Sequence, residues 1–185
     1  RDQREELMTI DYSQFITRYE ESQIDLDSKH AQIVIGVRRC GKSTICQKVL
    51  VESNTHFAYV NFDDEKLSSL QVDELNEVLE TLYRIYGSFT HLFMDEIQNV
   101  PKWHLFVNRL LRQGIRIILT GSNANLLSGE LATHLTGRYN EIRLYPFSFL
   151  EYCKAKKIQT NAQTTKSFGI LMNALDSYLQ QGGFP

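Results

Sequence analysis

The sequence predicts an α/β fold built on an open, parallel β-sheet. Apolar runs of strand length alternate with segments in which apolar residues recur every three or four positions, as on one helix face. A glycine-containing segment, residues 36–43, lies between the first apolar run, 31–35, and a helical pattern over residues 44–52. A later apolar run ends on the adjacent acids Asp95 and Glu96. Because ligands bind at the carboxyl ends of the strands in such sheets, we expect this segment and both acids at one edge.

Residues 36–43, called the phosphate loop below, match the pattern GxxxxGK[ST] at every defined position. Backbone N–H groups in such a loop, together with the start of the next helix, hold the negative charge of phosphates. We expect Lys42 to reach the β and γ phosphates and Ser43 to ligate Mg²⁺. The Cys40 thiol would be sensitive to oxidation there if its pKa were lowered. The residues expected to contact the nucleotide in this stretch are Gly36, Val37, Arg38, Arg39, Cys40, Gly41, Lys42, Ser43 and Thr44.

Composition and charge limit the class of protein. The length of 185 residues suffices for one domain, and 42% hydrophobic with 23% charged residues is ordinary for a soluble globular protein. A net charge of −2 with both signs interspersed does not favour nucleic acid as a partner. Three cysteines without paired spacing predict neither a disulfide framework nor a zinc site and favour the cytoplasm. No apolar run approaches the roughly 20 residues that span a membrane.

Residues 1–29 are predicted to form an N-terminal helix followed by an acidic loop. Leu7, Ile10, Phe15 and Tyr19 recur at loosely helical intervals, and residues 20–29 are mainly polar. The domain proper is expected over residues 30–185. Because the chain starts on an arginine and stops on a proline, we expect it to be a fragment of a longer protein.

The elements after the phosphate loop continue the alternation. Residues 57–62 predict a second strand, and residues 72–86 predict a helix that Gly87 ends. Residues 101–111 predict a further helix with a proline in its first turn.

The acids after the third strand are expected to have separate roles. Asp95 is placed to hold the Mg²⁺ shell, and Glu96 to orient and deprotonate a water for attack on the γ-phosphate. The fourth strand, 116–119, ends in a polar turn that contains Ser122 and Asn123. Either side chain could sense the γ-phosphate, or the turn could simply cap the next helix.

The fifth strand, residues 139–144, follows Arg138. An arginine at the nucleotide edge would stabilise charge on the γ-phosphate, from its own chain or from a neighbouring subunit. A surface arginine is the alternative that the spacing leaves open. Ser148 and Glu151 form a capping box that starts a helix, and a last helix is expected to end at Gly182.

The order of these motifs resembles that of AAA+ and related P-loop ATPases, which have an extra strand between the phosphate loop and the magnesium-binding strand. From about residue 30 onward, the chain looks like the AAA-type ATPase domain found N-terminal to a DUF4143 domain in bacterial and archaeal proteins. The segments similar to that family are 36–44, 94–98, 119–122, 135–138, 146–149 and 182–185.

This resemblance implies a three-layer αβα P-loop NTPase sandwich with a five-stranded parallel sheet in the order 5-1-4-3-2, and ATP as the nucleotide. The residues whose roles it supports are Lys42, Ser43, Asp95 and Glu96. It makes Arg138 an arginine finger or phosphate sensor. Gly183-Phe184-Pro185 is similar to a Gly-x-Pro motif that abuts the nucleotide base, so Pro185 is an expected contact.

The predicted function is a Mg²⁺-dependent ATPase whose hydrolysis switches the conformation of a C-terminal domain beyond these residues. A homo-oligomer is possible, no membrane is expected as a partner, and nucleic acid is left open because the charge does not support it. Two alternatives are a phosphotransferase, which needs an acceptor pocket and a lid with several arginines, and a nucleotide-gated binding module with little hydrolysis. The paired acids favour hydrolysis.

Overall fold

A five-stranded parallel sheet runs through the part of the chain that the computed structural model describes, residues 2–122, 135 and 137–185. The strands are β1 Ala31–Gly36, β2 Phe57–Asn61, β3 His91–Asp95, β4 Arg116–Ser122 and β5 Tyr139–Leu144. Their order is β2-β3-β4-β1-β5, which is the predicted order 5-1-4-3-2 viewed from the other side. The predicted fold class is confirmed.

The described α-helices connect and cover these strands. They are α1 Asp2–Thr9, α2 Lys42–Glu52, α3 Leu75–Tyr86, α4 Trp103–Arg112, α5 Phe149–Ala155 and α6 Thr165–Gln181. The predicted capping box starts α5, because the Ser148 hydroxyl accepts from the Glu151 backbone N–H at 3.3 Å and a Glu151 carboxylate oxygen accepts from the Ser148 N–H at 2.8 Å. The last helix ends at Gly182 as predicted.

Side chains of the sheet alternate between two buried cores, one on each face. In β1, Ile33 and Ile35 belong to the core that α3 and α4 cover, whereas Val34 belongs to the core under α2. Helices therefore lie on both faces, which makes the fold a three-layer sandwich. All three cysteines are buried and free.

The N-terminal segment differs from the single helix expected over residues 7–19. The helix α1 ends at Thr9, and short 3-10 turns follow at Tyr12–Gln14 and Tyr19–Gln23. The Asp11 carboxylate accepts the Ser13 N–H at 3.1 Å, and this local hydrogen bond replaces helical bonding at that point. Leu7 and Ile24 nevertheless pack into the core under α2.

The strands β3 and β4 end at different heights, which matters for the site. Their pairing stops at Met94 and Leu119, but β4 continues beside β1 until Ser122 pairs with Gly36. The fourth strand is therefore three residues longer than the 116–119 predicted, because β1 continues to pair with it after β3 has turned away.

Candidate nucleotide site

The phosphate loop starts directly against β5 at the carboxyl edge of the sheet. A Cβ atom on Gly36 would lie 2.2 Å from the Leu144 carbonyl oxygen, so only glycine fits this close approach. Within the loop, the Cys40 N–H donates to the Val37 carbonyl at 3.3 Å. The helix α2 begins at Lys42, so its free N–H groups face the space above the loop.

Lys42 lies between the loop and the acids of β3. Its side chain is 4% exposed, its ammonium donates to the Val37 carbonyl at 3.2 Å, and the same nitrogen is 3.7 Å from Glu96 Oε1. The predicted phosphate-binding lysine and the predicted catalytic acid are thus neighbours across one small space.

Asp95, the last residue of β3, is surrounded by hydroxyl groups. Its carboxylate accepts a hydrogen bond from Thr120 Oγ1, and the Tyr59 hydroxyl is 3.5 Å from Oδ2. Burial raises the pKa of Asp95, while the nearby Thr120 and Ser43 hydroxyls act to lower it. A carboxylate and a hydroxyl side by side are the hard oxygen ligands that suit Mg²⁺.

Glu96 leaves the sheet in a left-handed backbone conformation with φ 52° and ψ 38°. Its backbone N–H donates to Thr120 Oγ1 at 3.2 Å, and Gln98 Nε2 donates to its carboxylate. After this turn the Glu96 carboxylate lies beside Lys42. We did not anticipate Gln98, although a polar residue two positions after the acid was visible in the sequence.

Arg138 is not at the edge where we expected it. Its carbonyl accepts the Ala31 N–H at 3.0 Å, and β1 and β5 run parallel with Ala31 opposite Tyr139, so Arg138 lies at the amino edge. Five residue steps of β1, about 17 Å at the usual rise per residue, separate this edge from Gly36. The expectation that Arg138 reaches the nucleotide edge of its own chain is therefore wrong. The alternatives that remain are a surface arginine and contact with another chain's site.

The predicted sensor residues lie near the loop only as far as the described residues extend. The backbone of Ser122 pairs with Gly36, which places the tip of β4 beside the start of the loop. Asn123 lies outside the described residues, so the choice between Ser122 and Asn123 stays a prediction.

Pro185 lies against the phosphate loop. Its Cγ is 3.9 Å from the position that a Gly41 Cβ would take. The preceding backbone is fixed close to α5, because a Cβ on Gly183 would lie 2.1 Å from the Phe147 carbonyl, and the Tyr178 hydroxyl donates to that carbonyl at 2.7 Å. Between the loop and the N-terminal segment is a cavity of about 80 Å³, whose walls include Phe15, Ile16, Ile45, Phe147 and Pro185.

Arg18 was not anticipated as a residue of the site, yet it joins the loop to the chain around it. Its buried guanidinium donates to Glu151 Oε1 at 2.6 Å and to the Tyr145 carbonyl at 2.9 Å, and Nη1 is 3.5 Å from the Cys40 carbonyl oxygen. The same group stacks on the Phe147 ring at 5.0 Å from its centroid. These partners are more than a hundred residues away in sequence, apart from Cys40, so no local signal could reveal them.

The Cys40 thiol does not meet the condition for easy oxidation. It is fully buried and points at the Leu144 carbonyl at 3.6 Å. Burial raises the pKa of the Cys40 thiol, and nearby Lys42 and Arg18 only partly offset this.

The sheet order, the loop after β1 and the acid at the end of β3 define a P-loop NTPase of the αβα class. The sequence model of the family described as "AAA domain" matches residues 28–153, and the chain belongs to this family. It is thus an AAA-type P-loop ATPase domain.

Two curated relatives are longer than this chain. An uncharacterized protein of Methanocaldococcus jannaschii is 37% identical over 168 residues, which cover 88% of this chain and 37% of that protein. An uncharacterized protein of Haemophilus influenzae is 32% identical over 169 residues, covering 86% of this chain and 40% of that protein. The chain therefore spans about two fifths of the length of these relatives.

A solved structure supports the fold assignment. The Walker-type ATPase of Pyrococcus abyssi superposes with a TM-score of 0.56 at 16% identity, covering 92% of this chain and 64% of that one. Such a likeness shows the fold alone. Within the described residues, no helix has the length and apolarity that crossing a membrane requires.

Proposed function

We propose that this chain is the ATP-binding, Mg²⁺-dependent ATPase domain of a longer cytoplasmic protein, and that hydrolysis switches the conformation of a C-terminal domain. The main support is the convergence of two pairs at the end of β3: Lys42 with Glu96 at 3.7 Å, and Ser43 with Asp95. The greater length of both relatives supports the presence of a further domain. In domain terms, residues 1–29 form an N-terminal extension and residues 30–185 the ATPase domain.

The triphosphate would lie along the phosphate loop. Its oxygens would accept from the loop N–H groups and from the Lys42 ammonium, which contacts the Val37 carbonyl and the Glu96 carboxylate among the described residues. Ser43 and Asp95 would hold Mg²⁺, which would supply positive charge that stabilises the phosphate oxygens.

Glu96 would orient the attacking water and accept its proton. The side chain is already fixed by Gln98 on one oxygen and approached by Lys42 on the other. When the ammonium of Lys42 moves to the phosphates, Oε1 of Glu96 is released to face the water. Binding of the triphosphate and release of the Glu96 carboxylate from Lys42 would thus occur together.

The adenine base would enter the cavity between the N-terminal segment and Pro185. Phe15, Ile16 and Phe147 give this cavity apolar walls, which suit the faces of a flat aromatic ring. At about 80 Å³ it is small, so the walls would separate when the base enters.

A nucleotide-gated binding module with little hydrolysis is the second candidate. The observation in its favour is the position of Arg138 at the amino edge, because the arginine expected to stabilise charge on the γ-phosphate then lies away from the site of its own chain. In the first candidate a neighbouring subunit supplies Arg138, and Asn123 or Ser122 senses the phosphate.

Glu96→Gln tests the proposed role of the acid. We expect hydrolysis to fall by about 10²- to 10⁴-fold with ATP affinity retained, since the amide preserves shape but cannot accept the proton. Phosphate release and calorimetric ATP titration measure the two quantities. Glu80→Gln on the exposed surface of α3 is the matched control and should leave both unchanged. An unchanged rate in Glu96→Gln would remove Glu96 from this role and favour the binding module.

A further inference from the structure

Thr120 of β4 lies between the two acids and contacts both of them. It is completely buried. Its hydroxyl donates to Asp95 Oδ1 and accepts the Glu96 backbone N–H at 3.2 Å. A hydroxyl has one proton to donate, so this geometry fixes its orientation.

The register of the sheet explains why a hydroxyl is needed there. Pairing between β3 and β4 ends at Met94 and Leu119, so the Glu96 N–H has no carbonyl of β4 to donate to. On the other side of β3, the Asp95 carbonyl still accepts the Phe62 N–H at 2.9 Å. The Thr120 hydroxyl replaces the missing acceptor and allows the chain to turn at Glu96 without leaving a buried donor unpaired.

The same hydroxyl restricts the carboxylate of Asp95. One oxygen is occupied by Thr120, which leaves Oδ2 beside the more distant Tyr59 hydroxyl, at 3.5 Å. Threonine is β-branched, so few χ1 rotamers are available to its side chain in a strand, and the hydroxyl holds its place.

We propose that Thr120 is a positioning residue for the ATPase reaction, which sets the Asp95 carboxylate for the metal and the Glu96 turn for the attacking water through one hydroxyl. The inference rests on the proposed function. Such partners behind a metal ligand typically affect metal affinity or activity by about 10- to 100-fold when removed.

The test compares Thr120→Val, which keeps the shape and removes the hydroxyl, with Thr120→Ser, which keeps the hydroxyl. We expect Thr120→Val to raise the Mg²⁺ concentration for half-maximal hydrolysis about 10-fold and to lower kcat about 10- to 100-fold. Thr120→Ser should recover most of both. Thr81→Val on α3, outside the site, is the matched control and should match the wild type.

A second readout does not depend on turnover. The affinity for the non-hydrolysable analogue AMP-PNP, measured by calorimetry with and without Mg²⁺, separates the metal from the phosphate loop. Thr120→Val should bind AMP-PNP without Mg²⁺ like the wild type and lose most of the gain that Mg²⁺ gives. Thermal unfolding of each variant shows whether the fold is retained.

Two results would overturn the inference. One is a Thr120→Val chain with the wild-type Mg²⁺ requirement and kcat. The other is an equal loss in Thr120→Val and Thr120→Ser together with weaker AMP-PNP binding without Mg²⁺, which indicates a purely structural role. Failure of the proposed function looks different, because the wild type and Lys42→Ala would then bind AMP-PNP alike, and this would remove the reaction that Thr120 is proposed to serve.

Discussion

The two edges of the central sheet use their polar side chains differently. At the carboxyl edge, Lys42, Asp95 and Thr120 lie within one small space, and side chains contact one another as well as the backbone. At the amino edge, the ring of His91 is held by the Leu26 carbonyl at 2.8 Å and by Thr90, and burial lowers its pKa. The His91 contacts at the amino edge connect the sheet to the preceding loop, whereas the polar groups at the carboxyl edge are arranged around a space that suits a ligand.

Arg138 is an exception at the amino edge, because it is the residue there that was expected to contact the nucleotide. The carboxyl edge contains the loop, the lysine and both acids, but the arginine expected there directly precedes β5, at the amino edge. If hydrolysis needs this arginine, the complete site includes residues from two chains.

Arg138→Ala should give the largest effect that distinguishes the two edges. We expect the wild-type rate per chain to rise with protein concentration, and the variant to be slower by about 10³-fold at high concentration, as for other arginine fingers. ATP affinity should not change. Arg143→Ala, which removes an exposed arginine of β5 paired with Glu141, is the control.

Mixing inactive chains sharpens this prediction. Arg138→Ala supplies an intact acid and Glu96→Gln supplies an intact arginine, so a mixture of the two should regain activity that neither has alone. A concentration-independent rate per chain, or no recovery in the mixture, would contradict a shared site.

Gly36→Ala should disrupt the carboxyl edge through packing rather than chemistry. The added methyl group would collide with the Leu144 carbonyl and with the Cys40 sulfur at 2.8 Å, so we expect a loss of about 3 kcal/mol in the free energy of unfolding. Urea denaturation measures this loss. A variant as stable as the wild type would show that the loop does not need this close approach to β5.

Gly169→Ala is the matched control and should give the smallest effect. Gly169 lies within α6, and a Cβ there would meet nothing within 4 Å. Alanine is favoured over glycine inside a helix, so we expect a gain of about 0.5 to 1 kcal/mol in the same urea experiment. A loss would show that the α6 backbone is constrained in a way that the packing does not reveal.

The parts of the site that the sequence predicted are short motifs, whereas the parts that it did not predict depend on contacts between distant segments. The phosphate loop and the two acids could be placed because each is a short motif next to a strand, and parallel strands bring their ends together. The start of β5 was equally visible, and the same rule would have placed Arg138 at the amino edge had it been applied to the residue before the strand.

Other contacts depend on register and on distant segments. The proposed role of Thr120 depends on β4 continuing beside β1 after its pairing with β3 has ended, which no periodicity encodes. Arg18 contacts Tyr145 and Glu151, which only the folded chain brings together. The N-terminal helix was predicted too long because the turn at Asp11 depends on a side chain that accepts a nearby N–H.

Calorimetric titration of ATP with Mg²⁺ into the wild type and Lys42→Ala tests the central claim most directly. Lys66→Ala, which removes an exposed lysine outside the site, is the matched control. We predict saturable binding of one ATP per chain in the wild type and the control, and loss of binding in Lys42→Ala. Equal binding in all three chains, or no binding by the folded wild type, would contradict a nucleotide site at this loop.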